Sequence, residues 1–179
     1  FRGSEKNKIF RWMKCFEKFK IEKACMIDGD DICFDFDLYT KALKLKNKKK
    51  IVHFPKKIIT GCFLYILDYK NLKKIVLNKN NNFDSEMVEP FFKIYDVKKK
   101  ILNVKKIYLN KKIRLTLDYN EDFNLFKVIF NKFRITEKTS VIISFLLKNK
   151  NLSKINYHKE IYFKYNQKNK INKVLANFS

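Results

Sequence analysis

Stretches with a helical apolar stripe alternate along this chain with apolar runs too short to be helices, and that alternation constrains the fold most. From Asn7 to Phe19 the apolar residues fall at Ile9, Trp12, Met13, Phe16 and Phe19, with charged residues between them. The next run, Lys23-Ala24-Cys25-Met26-Ile27, suits a buried parallel strand and stops abruptly at Asp28-Gly29-Asp30-Asp31. The pattern then repeats. A helix is predicted over 36–45, a strand or its approach over 50–54, a strand over Gly61 to Leu67, and a helix over 69–76 that ends in the Asn-rich turn 78–82. Asp84 or Ser85 is placed to cap a helix over 86–94. Strands are predicted over 101–109 and 112–117. An amphipathic helix starts at Asn120, with Phe123, Phe126, Ile129, Phe130 and Phe133 on one face. A last helix spans about 137–147, and a polar tail follows that carries Tyr157, Tyr162, Phe163 and Tyr165. Such an order predicts an α/β fold whose sheet is largely parallel and covered on both faces.

Composition limits the function classes. A length of 179 residues suits one α/β domain, and 46% hydrophobic residues with 18 Phe supply a packed core. The net charge of +23 raises the question of a polyanionic partner, because counterion release favours such binding. The excess is almost wholly Lys, it accompanies abundant Asn and Ile, and it is spread from end to end. That combination reads as a compositional bias on solvated faces. The one dense run, residues 44–50, reads as a loop or helix end, so nucleic-acid binding is not expected. Cys15, Cys25, Cys33 and Cys62 lack metal-site spacing and sit among apolar residues. They read as free thiols in a reducing compartment, which predicts a cytoplasmic protein. His53 and His158 are isolated, and a structural or surface role is the default for each. No run approaches the length of a membrane span. Phe1 is not a natural start, so the true N-terminus is expected to lie upstream.

Two segments put carboxylates where α/β proteins build active sites, just past the C-terminal ends of strands: Ile27-Asp28-Gly29-Asp30-Asp31 and Leu115-Thr116-Leu117-Asp118. If the strands are neighbours, Asp30 and Asp118 face one crevice. Converging carboxylates repel unless a cation lies between them, and a hard divalent ion such as Mg²⁺ suits oxygen ligands. Mg²⁺ commonly shares its coordination with substrate phosphates, which points to phosphoryl or nucleotidyl transfer. The plainer alternative is that Asp118 caps the following helix and the Gly-Asp segment is an ordinary turn.

Four motifs in order bear on that choice. Phe1-Arg2-Gly3-Ser4-Glu5-Lys6-Asn7-Lys8-Ile9-Phe10-Arg11 resembles the "FRGSEDNVLDR" segment of cytidylyltransferases of the spore-coat-polysaccharide type, relatives of the CMP-sialate and CMP-Kdo synthetases. Gly29-Asp30-Asp31 resembles their GD(D/E)P loop, and Ser85-Glu86-Met87-Val88-Glu89-Pro90-Phe91 resembles "REHVTPY". Arg114-Leu115-Thr116-Leu117-Asp118-Tyr119-Asn120-Glu121-Asp122-Phe123 resembles "RLTVDTPEDF" and is the most specific match. Together they cover most of the chain up to about Phe133.

The resemblance implies a three-layer, mostly parallel Rossmann-like nucleotidyltransferase sheet that lacks its first βα unit. It implies a domain over residues 1–135, with 136–179 as a C-terminal helix and polar tail packing on it. Asp30 and Asp118 would hold Mg²⁺ as the catalytic pair. Gly3, Ser4 and Gly29 would line the nucleotide site, and Glu86 would contact the sugar. Arg114 would belong to the substrate region and support the metal loop, and Arg11 would anchor its helix. The implied reaction is attack of a hydroxyl of an acidic or modified sugar on the α-phosphorus of CTP, with loss of pyrophosphate, for surface-glycan synthesis. A homodimer paired through the apolar stretch Ile58 to Leu67 is implied as well. The chain departs from the pattern at Ile32, where the family has proline, and at Met87, where it has histidine. It begins downstream of the expected triphosphate loop, so the 179-residue piece alone is not expected to turn over CTP. The alternatives are a non-catalytic remnant or basic polyanion-binding α/β module, and a transferase that uses another nucleotide.

Overall fold

The structure is a computed structural model that describes residues 1–45, 51–77 and 84–176. Helix α1 (Lys8–Lys18), strand β1 (Lys23–Met26) and helix α2 (Phe36–Lys44) are followed by two successive strands, β2 (Ile51–His53) and β3 (Tyr65–Asp68), and by helix α3 (Tyr69–Val76). Helix α4 (Glu89–Ile94) and strand β4 (Lys99–Ile101) follow. The chain then becomes helical through α5 (Asn120–Lys132), α6 (Thr139–Lys148), the single turn α7 (Lys150–Ser153) and the long α8 (Tyr157–Ala176). The dense basic run and the Asn-rich turn lie almost wholly outside the described residues.

Side chains alternate across the sheet with period two, and the two faces feed two cores. Val52 and Ile66 join Leu38, Ala42, Leu125, Phe126, Ile129, Ile142, Ile143 and Leu146 from α2, α5 and α6. Ile51, Tyr65 and Leu67 join Ile9, Met13, Phe16, Leu72, Ile75, Phe91 and Phe92 from α1, α3 and α4. The architecture is therefore three-layer α/β with helices on both faces, as expected. Helix α6, beyond residue 135, supplies part of the first core.

The strand order among the described residues is β1-β3-β2-β4. Here the strand directions correct one expectation. β3 runs antiparallel to both β1 and β2, with Met26 and His53 each opposite Tyr65, and only β2 and β4 pair in parallel. The apolar runs read as parallel strands because burial on both faces erases polar alternation whatever the strand direction.

Two further corrections concern residues 101–117. The strand expected over 101–109 ends at Ile101 and gives way to a 3-10 turn over Lys106–Tyr108. Leu102 and Tyr108 are buried, but their backbones bond singly to His53 and Ile59. The strand expected over 112–117 makes one parallel bridge, Thr60 with Arg114. Its amides divide between two partners: Leu115 N–H donates to Thr60 and Leu117 N–H to Asp30, both at 2.9 Å. A continuous ladder is thereby lost, and a direct link from Asp30 to the Asp118 segment is gained.

Candidate active site

A cleft of about 630 Å³ opens at the ends of β1 and β3, and its lining includes Asp28, Gly29, Asp30, Asp31, Glu86, Thr116 and Asp118. Asp30 and Asp118 thus share one crevice. The Leu117–Asp30 backbone bond fixes the two segments side by side, and the Thr116 hydroxyl lies 3.5 Å from the Asp30 carbonyl and 3.4 Å from Asp118 Oδ2. Close approach of Thr60 to Leu115 sets this geometry. Gly61 has φ +93°, and a Cβ there would overlap the Leu115 carbonyl.

Electrostatics reflect the crowding. Burial is the main force raising the Asp118 carboxyl above the usual carboxylate range; Arg114 opposes it and the Asp30 charge reinforces it. Asp31, almost fully buried at 7% exposure, is pushed up to about 7, first by burial and then by Asp30 and Asp28. Of the carboxylates in this loop, the sequence motifs single out Asp30 alone. The run Asp28-Gly29-Asp30-Asp31 was itself the signal that a neighbouring carboxyl would be strongly perturbed. Asp28 is offset by Lys8 Nζ at 2.6 Å.

Arg114 lies fully buried behind the cleft and does not reach its surface. Its Nε donates to Asp122 Oδ1 at 3.0 Å, its Nη1 to Glu160 Oε2 at 3.1 Å, and its Nη2 to Asp118 Oδ2. Support of the Asp118 loop is what this arrangement performs, and direct contact with a substrate is not. Asp118 does not cap α5. Asp122 does so from inside the first turn, accepting from the amides of Asp118 (3.0 Å) and Tyr119 (3.1 Å).

The other expected site residues divide. Gly29 and Glu86 line the cleft, and Glu86 is held at its rim by Lys170 of α8 at 2.8 Å. Gly3 and Ser4 do not line it. They border a separate depression of about 590 Å³ with Phe1, Phe10 and Arg11. The Ser4 hydroxyl accepts from the Asn7 amide at 3.0 Å, and Arg11 Nη1 donates to the Ser4 carbonyl at 2.9 Å. Arg11 thus anchors the chain at the start of α1. Ser85 does not cap α4, whose N-cap is Val88; its hydroxyl accepts from the Ile9 amide and donates to Asn7, tying this loop to α1. The apolar stretch Ile58 to Leu67 places Ile59, Cys62, Phe63, Tyr65, Ile66 and Leu67 in the chain's own interior, so its apolarity is accounted for without a partner subunit.

Sequence reasoning missed α8, which supplies Phe163, Lys164, Gln167 and Ile171 to the cleft wall. No helix among the described residues is long and apolar enough to cross a membrane.

No protein-family model matches the chain, and no curated protein does. Among solved structures, a cytidylyltransferase from Leptospira borgpetersenii matches with a TM-score of 0.73, over 85% of this chain and 67% of that one, at 18% sequence identity. The chain shares the fold of that protein.

Proposed function

We propose that this chain forms the metal and acceptor half of a nucleotidyltransferase site, one that transfers CMP from CTP to an acidic or modified sugar. One observation carries the reading. Two carboxylates from distant segments, Asp30 and Asp118, line one cleft and are tied together by the Leu117–Asp30 hydrogen bond. A basic binding module has no reason to align them. The shared fold with a cytidylyltransferase supports the same direction.

The donor set suits Mg²⁺. Both side chains offer hard oxygen ligands and both residues line the cleft, with Arg114 holding Asp118 through Oδ2. Among the described residues no three His, Cys, Asp or Glu side chains form a protein cage. Mg²⁺ commonly completes its shell with phosphate and water oxygens. When bound, Mg²⁺ would offset phosphate charge and align the reacting groups.

The protein's own part is positioning. Arg114 and Thr116 hold Asp118, the β1 loop holds Asp30, and Glu86 with Lys164 and Gln167 stand where an acceptor would rest. Catalysis of this kind depends on alignment and fixed charge more than on covalent chemistry by the enzyme. A cytoplasmic location and a part in surface-glycan synthesis complete the reading. Calorimetric titration of CTP with Mg²⁺ into the chain tests the site: Asp30→Asn and Asp118→Asn should each abolish the Mg²⁺-dependent part of the binding. Equal binding by both variants would refute the assignment.

A further inference from the structure

The buried face of α8 carries a carboxylate that the cleft lining does not include. Glu160 is 5% exposed and sits in the first turn of α8. Its Oε2 accepts from Arg114 Nη1 at 3.1 Å, and its Oε1 accepts from the Thr60 hydroxyl at 2.8 Å. Lys164 Nζ lies 2.7 Å from the same Oε1. Phe163 stacks on the guanidinium from the same helix, with the Arg114 carbon 4.7 Å from its ring centre. The guanidinium is therefore fixed on three sides. Asp122 holds Nε and shares Nη2 with Asp118, while Glu160 holds Nη1.

Carboxylates that ligate a cation are commonly oriented by such outer hydrogen bonds, and loss of an outer partner weakens metal binding about 10–100-fold. Arg114 cannot orient Asp118 unless its own plane is fixed. Asp122 grips the Nε and Nη2 edge of the guanidinium, and Glu160 holds its Nη1 end, which Asp122 does not reach. Asp122 is also engaged by the Asn156 amide at 2.8 Å and by the backbone at the start of α5.

We propose that Glu160 is a positioning residue: acting through Arg114, it sets the Asp118 carboxylate for the cation, so that the C-terminal helix is part of the metal site. The inference rests on the reading of Asp30 and Asp118 as the cation ligands.

The test measures Mn²⁺ affinity of the full chain with CTP present, from the electron paramagnetic resonance of free Mn²⁺. Circular dichroism shows that each variant is folded at the assay temperature. Glu160→Ala is expected to weaken Mn²⁺ binding roughly tenfold while the protein stays folded. Glu160→Gln, which keeps an acceptor oxygen near Nη1, should recover most of that loss. If Glu160→Ala does not fold, Glu160→Asp serves, because it keeps the charge but is one methylene too short to reach Arg114 and Thr60 together; the same direction of loss is expected. Affinity equal to the parent in the folded alanine or aspartate variant would overturn the proposal and leave Glu160 as a helix anchor. The control Asp118→Asn separates the two readings. If it too leaves Mn²⁺ affinity unchanged, the metal assignment fails and the Glu160 role fails with it.

Discussion

Arg114 holds three carboxylates at once, so its loss acts on more than one contact. The side chain is fully buried between Asp118, Asp122 and Glu160. Arg114→Met would leave Asp122 buried without its cation and Glu160 paired with Lys164 alone. Breaking a buried pair from one side costs about 3–5 kcal/mol, and urea unfolding of the variant should show a loss of that order. A loss under about 1 kcal/mol would mean that water reaches these groups. His53 makes a second prediction at this scale. Its Nε2 is buried without a hydrogen-bond partner among the described residues, 3.5 Å from Glu89 Oε1, and burial holds the imidazole below its usual 6.5. The unfolded chain takes up a proton near 6.5 and the folded chain only at lower pH, so stability is lost as the pH falls below about 6.5. His53→Phe, within the ring cluster of Phe54, Tyr65 and Phe92, should flatten that slope when urea midpoints are compared at pH 5.5 and 7.5. An unchanged slope would assign the acid sensitivity to other groups.

The segments that meet at Gly61 decide whether the site forms. Gly61→Ala would force a Cβ into the Leu115 carbonyl at a left-handed φ, which costs at least about 2 kcal/mol. Because Leu115 leads to Asp118, the variant should also bind Mn²⁺·CTP less tightly than its residual stability would suggest. Titration below its unfolding midpoint checks this. Elements with a strong apolar period were legible in the sequence: α1, α2, α3, α5 and α6 all lie within about two residues of their predicted limits. The Asp30–Asp118 meeting was legible too, because both residues follow apolar runs. Residues 101–117 were not. Their apolar side chains enter the core singly from an irregular path, and burial without a ladder looks the same as burial within one. Helix α8 was hidden for the opposite reason. Its buried residue is Glu160, a type that pattern reading assigns to solvent, and Ile161, Tyr162 and Tyr165 are exposed. Its place in the fold comes from an ion-pair network, which leaves no apolar stripe.

For the whole molecule, an excess of lysine surrounds a cleft that carries a cluster of carboxylates. The charge of +23 belongs to the surface, while Asp28, Asp30, Asp31 and Asp118 concentrate negative charge at one place. On the proposed reading these carboxylates would hold a divalent cation, whereas a nucleic-acid backbone brought there directly would be repelled. Duplex DNA should therefore bind weakly, with affinity that falls steeply with salt, and it should not displace CTP. The same separation bears on how far the sequence could be read. The fold class followed from alternation, whereas the placing of Gly3 and Ser4 outside the cleft depended on how Arg11 and Asn7 draw the first residues against α1. The most direct test of the account is the Mn²⁺ affinity of the chain in the presence of CTP, compared among the parent, Asp30→Asn and Asp118→Asn. Saturable Mn²⁺ binding by the parent, strengthened by CTP and lost in either variant, is expected. Mn²⁺ binding that is absent from the parent, or unchanged in both variants, would contradict it.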